Sequence, residues 1–318
     1  MTKIHVPVAE TVASIGRTAR LWRFGGLSPW QLIVRSIRGY RQHHFDARSA
    51  QIAYYSMLSL FPLLILLIAA LAQLPLKGIL DNALDAADRA LPDAIYNLLV
   101  QQIHDIQARS TVGLVTASLG GLTIAGSQVF LAITEGLNRA YDVQETRRIW
   151  RVYGLAFLLT VAASLLVLVA LVLMIVGPLL STWIARFNIP IPYLRTMLQS
   201  GVRWGVVGGC LWLSTSAIYC LVPNVKLSWY WFSPGSVFAV VGWIVTSQGF
   251  RIYVENFGNY NTTYGALGGV IVLIVWLNLT GAVLLMGGQI NGVIHRAEVV
   301  QLADSTHDKT TPAAISGR

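Results

Sequence analysis

The chain has 318 residues, of which 55% are hydrophobic and only 12% charged, and it carries a net charge of +9. A charged fraction about half that of soluble domains argues against a large soluble helical protein. The length left over outside the apolar runs has no room for a second soluble domain.

Residues 1–48 are polar and basic and do not read as a cleavable leader; they are expected to form a cytoplasmic segment. Within it, Ser28 followed by Pro29 is an N-cap with proline at the first helical position. Trp30, Ile33, Val34, Ile37 and Tyr40 then share a helical face, with Arg35, Arg38 and Arg41 off it. Such a helix suits a lipid interface with anionic headgroups, or a place packed beneath a bundle.

Six apolar runs follow, at 52–74, 112–133, 152–180, 202–222, 232–254 and 266–294. Each reaches the roughly 20 residues that a helix needs to cross about 30 Å of hydrocarbon. The fold class is therefore an all-α polytopic membrane protein, with residues 49–296 as one domain of six transmembrane helices. Residues 75–110 hold two further apolar stripes at helical spacing and predict a helical periplasmic loop. Residues 297–318 read as a disordered tail. Cys210 and Cys220 are ten helical residues apart, ~15 Å, too far for a disulfide. Gly205, Gly208, Gly209, Trp212 and Ser216 form a small-residue seam that predicts close helix packing.

Polar side chains inside the runs need a partner or a wet cavity, because exposure to hydrocarbon costs a few kcal/mol each. Gln128, Glu135 and Asn138 fall near one face of the second run. Glu135 also stands four residues before Arg139, which allows either a structural ion pair or one wall of an inward-facing cavity. Arg251 and Glu255 are four apart in the fifth run, followed by a polar hairpin with Asn259, Asn261 and Tyr264. This is either a turn or a site where Arg251 meets a phosphate, with Arg203 as a second cation. Asn278 and Gln289 share a face of the last run. Tyr54 and Tyr55 are candidates for an interfacial belt or a cavity lining.

Four segments, in order among the six runs, resemble the YihY/BrkB family of bacterial inner-membrane proteins. They are the Ser59-Leu60-Phe61-Pro62 core of the first run, Leu137-Asn138-Arg139-Ala140-Tyr141, Pro223-Asn224-Val225-Lys226 through Pro234-Gly235, and Tyr260-Asn261-Thr262-Thr263-Tyr264-Gly265. The resemblance implies a six-helix inner-membrane fold. Members have carried the label ribonuclease BN, and others have been linked to envelope integrity and to export of lipid or lipopolysaccharide precursors. Where the family has a Leu-Gly-Ala-Glu pattern, this chain has Met286-Gly287-Gly288-Gln289, which puts ion coupling through a carboxylate there in doubt.

Histidines and cysteines show no metal-ligand spacing, and no nucleotide-binding or nucleophile motif is visible, so neither a cofactor nor an enzymatic activity is expected. The expected function is binding or movement of an amphipathic substrate, a lipid or lipid-linked envelope precursor. The competing reading is a non-transporting scaffold for envelope integrity. Membrane lipids are the expected partners, and nucleic acid is not. Sixteen Lys and Arg lie at the ends and in even-numbered loops against five in odd-numbered loops. That asymmetry puts both termini in the cytoplasm of a bacterial inner membrane. A topology reporter fused after Val222 should behave as cytoplasmic and one after Asn259 as periplasmic; the opposite pattern overturns this orientation.

Overall fold

In hydrocarbon a backbone satisfies itself only as helices or as a closed barrel. The computed structural model describes residues 24–73, 100, 112–185, 192–225, 232–256 and 266–310, and every regular element among them is helical. After a short 3-10 turn at Phe24–Gly26 come α1 (Pro29–Gln42), α2 (Phe45–Gln73), α3 (Val112–Ala140) and α4 (Ile149–Ala185). They are followed by α5 (Pro192–Leu221), α6 (Pro234–Asn256) and α7 (Ala266–Thr310). Five of these hold stretches long and apolar enough to cross a membrane; in α5 the apolar stretch among the described residues is the shorter Gly208–Leu221. The expected loop helices at 75–110 lie outside the described residues. α7 continues through 297–310, where the sequence suggested disorder, because nothing between Ala297 and Thr310 breaks a helix.

α1 begins as expected. The Ser28 hydroxyl accepts from the Gln31 amide, and the Gln31 side chain accepts from the Ser28 amide, a reciprocal cap. The helix serves both readings at once. Leu32, Ser36 and Gly39 are buried against the bundle, while Trp30, Ile33 and Ile37 on the other side are exposed.

The six long helices close a ring: α2 packs on α3, α3 on α4, α4 on α5, α5 on α6, α6 on α7, and α7 back on α2. α1 lies across α7 at one end. At that α1 end the ring is filled. Leu137 meets Gly288, Leu285 meets Gly136, and the Ala140 carbonyl faces Gly292, which joins α3 to α7. The Tyr219 hydroxyl of α5 donates to the Leu284 carbonyl of α7 at 2.6 Å. At the start of α6, Asn291 accepts from the Gly235 amide at 2.8 Å and donates to the Ser233 hydroxyl at 2.9 Å.

The far half differs. No residue of 240–254 in α6 or 269–280 in α7 is buried. A Cβ added at Gly136, Gly235, Gly287, Gly288 or Gly292 would collide with a neighbour, whereas at Gly113, Gly120, Gly154, Gly205, Gly208, Gly209 or Gly249 it would meet no described atom within 4 Å. Of the predicted seam on α5, Ser216 is buried and Trp212 packs on Phe232, while the three glycines meet no described neighbour. The close approach is made by the glycines of α7, where side chains would keep the neighbouring backbones apart.

Two alanine substitutions should separate these environments. Gly292→Ala should cost about 1–3 kcal/mol, because its Cβ is driven into the Ala140 carbonyl rather than into a yielding side chain. Gly209→Ala should be neutral or stabilising by up to about 1 kcal/mol through helix propensity. Thermal unfolding of the purified protein in detergent reads both.

Candidate functional site

Polar chemistry gathers at the α1 end first. Glu135 near the end of α3 meets Arg48 of α2 at 2.8 Å, closer than the 3.4 Å to Arg139 that i,i+4 spacing predicts. Arg48 is mostly buried and Arg139 half exposed, so the inter-helix pair is the less screened of the two. Asn138, one turn on, is buried and serves a second network. It donates to Glu145 at 2.9 Å and accepts from the Asn224 amide at 2.7 Å.

Glu145 also takes a two-pronged contact from Arg147, at 2.8 and 2.6 Å. The same guanidinium reaches the Val222 carbonyl at the end of α5, 2.9 Å away. Asn224 closes the circle by donating to the Gln144 carbonyl and the Thr146 hydroxyl, each at 2.9 Å. Thus the turn between α3 and α4 is latched to the turn after α5. Arg147 holds the Glu145 carboxyl far below the usual carboxylate range, down to about 2, against a smaller opposing effect of burial. Sequence spacing could not show Asn224 as a partner, since its contacts lie 78 to 86 positions away.

The remaining expected residues divide between the two halves. Gln289 is wholly buried at the α1 end, its amide without a hydrogen-bond partner and pointed at Gly39. Asn278 lies on the same face of α7 in the far half, partly buried, with its side-chain oxygen buried and unpartnered. Gln128 is partly buried on α3, two turns before Glu135. Tyr54 is exposed, while Tyr55 packs against the core, their rings edge to face at 5.3 Å. Arg251 is exposed on α6 in the far half. Asn259, Asn261 and Tyr264 lie outside the described residues, as do the side chains of Arg203 and Glu255. The candidates among the described residues do not converge on one point.

In the far half the described contacts are sparse. Trp276 donates to the Ser247 hydroxyl at 3.3 Å, and the Trp243 and Trp276 rings meet edge to face at 6.0 Å. Leu277, partly buried, stands two turns from Leu284, which packs on the core, and so shares its helical face. Among the described residues no three His, Cys, Asp or Glu side chains come together as a metal would need.

Six apolar helices in a ring, filled at one end and tied there by polar turns, define a polytopic helical membrane protein. A family profile described as "virulence factor BrkB" matches residues 36–312, and the chain belongs to that family. A "putative ribonuclease-like protein YfkH" of Bacillus subtilis is 35% identical over 261 residues, covering 81% of this chain and 92% of its own. UPF0761 membrane proteins of Vibrio parahaemolyticus and Aliivibrio salmonicida are 25% and 28% identical; the alignments cover 80% and 77% of this chain and 78% and 77% of theirs. No solved structure matches the chain.

The latch carries a pH signature. Because the Glu145 carboxyl is depressed in the fold, its contribution to stability is present above about pH 4.5 and lost as pH falls towards 2. Melting temperature in detergent should drop across that window, and Glu145→Gln should flatten this part of the drop while lowering the neutral-pH value.

Proposed function

We propose that the protein binds an amphipathic, lipid-like molecule in the far half of the ring and passes it between leaflets, with lipids or lipid-linked envelope precursors as the substrate class. The observation that carries this reading is the packing gradient along the ring. Four turns of α6 and three of α7 have no buried residue, while the α1 end is closed by α3–α7 and α5–α7 contacts. On the orientation expected from the loop charges, the closed end faces the cytoplasm and the far half lies towards the outer leaflet. An apolar inner face around Leu277 suits acyl chains, and the exposed guanidinium of Arg251 suits a phosphate. Movement would be passive or ion-coupled, since the sequence has no nucleotide-binding motif.

The name of the Bacillus relative raises a second reading, RNA cleavage. We keep the non-enzymatic reading, which rests on the sequence carrying no metal-ligand spacing or nucleophile motif.

Reconstitution in liposomes with a fluorescent phospholipid tests the proposal. Leu277→Trp, which fills the inward face of α7, should slow inter-leaflet exchange several-fold, while Leu279→Trp on the exposed side of the same turn should not. Equal rates for both variants and the native protein, or no exchange above protein-free liposomes, would remove transport and favour the scaffold.

A further inference from the structure

At the α1 end, a cavity of about 400 Å³ opens between α1, the turn after it and the last third of α7. Its charged lining has one sign. Arg35 and Arg38 come from α1 and Arg296 from α7, and no Asp or Glu lines it among the described residues. Arg296 spends one donor on the Ala140 carbonyl at 2.6 Å, which fixes the guanidinium at the cavity wall and leaves further N–H groups for another acceptor. His43 also lines it, and burial followed by the nearby Arg296 charge lowers its pKa, so at neutral pH it adds a donor rather than a fourth cation. Asp142 lies within electrostatic reach of His43 and offsets part of the charge, but it stands outside the lining.

The second observation is Gln289. Its side chain is 0% exposed, and neither its amide nitrogen nor its oxygen has a hydrogen-bond partner. A buried amide without partners costs roughly 1–3 kcal/mol, which a structural role would not leave uncompensated. The amide points at Gly39, in the wall of the same cavity, and any side chain at position 39 would strike it. Gly39 thus keeps the way between the amide and the cavity clear.

We infer that this cavity is a binding site for a phosphate-bearing anion, with Arg35, Arg38 and Arg296 supplying the charge and Gln289 a neutral donor at its floor. It is separate from the far half of the ring and does not depend on transport. Trp30, Ile33 and Ile37 lie on the face of α1 away from the cavity, and the phosphate of a lipid headgroup and a soluble phosphate present the same chemistry to its lining.

Native mass spectrometry of the full-length protein tests this with phosphatidylglycerol and phosphatidylcholine as probes, and with inorganic phosphate as competitor. The native protein should retain phosphatidylglycerol in preference to phosphatidylcholine. The double variant Arg35→Gln, Arg38→Gln, altering exposed side chains that leave the fold intact, should lose about 30-fold of that preference. Gln289→Leu, which needs no partners, should weaken retention without lowering the melting temperature. Arg151→Gln, which removes an exposed cation at the start of α4 outside the cavity, should leave retention unchanged. Displacement of the lipid by millimolar phosphate assigns the site to the phosphate group itself, and retention against phosphate assigns it to the intact headgroup. Equal retention by the native protein and the double variant, or retention of neither probe, overturns the site.

Discussion

The whole assembly depends on how closely α7 approaches its neighbours. Lipid tails are as apolar as leucine, so helices in a bilayer associate through van der Waals contact and hydrogen bonds rather than by escaping water. α7 meets that requirement with Gly287, Gly288 and Gly292, which bring its backbone against Gly235, Leu137 and the Ala140 carbonyl. Once the backbones are that close, Tyr219 can reach the Leu284 carbonyl and Asn291 can cap the start of α6. These buried polar groups would be costly if any one partner were withdrawn. Contact and hydrogen bonding therefore succeed or fail together at this end, and the ring has no comparable device elsewhere among the described residues.

Much of this was legible in the sequence because hydrocarbon imposes so few solutions. Run length and the near absence of charge gave six helices, and the Ser28-Pro29 pair gave the start of α1. What was misread follows from what one helix cannot say about another. Gly205, Gly208 and Gly209 look like a packing seam, but only the position of α5 in the ring decides whether a neighbour is there. Glu135 and Arg139 have the right spacing, yet the shorter contact comes from Arg48 on a different helix. The Glu145–Arg147–Asn224 latch joins residues with no periodic relation, so no pattern in the chain announces it. The one intramembrane departure from the family pattern, Gln289, was visible as a residue but not as an unpartnered amide.

Two of the four segments that carry the family resemblance meet in space. Asn138 in the Leu-Asn-Arg-Ala-Tyr turn bonds to Asn224 in the Pro-Asn turn, and Gly235 in the Pro-Gly step is held by α7. The family match itself spans residues 36–312 and so takes in both halves of the ring.

The position of α7 at the end of the chain sets an order on biosynthesis. Five membrane helices leave the ribosome before the one that contacts α1, α2, α3 and α6 is made. Until then Tyr219, Ser233 and the Gly235 amide have no acceptor or donor from α7, and the N-terminal amphipathic helix has no floor to lie on. Closure of the ring therefore waits for α7, and a chain that stops short of it lacks the acceptor for Tyr219 and the side chain that holds Ser233 and Gly235.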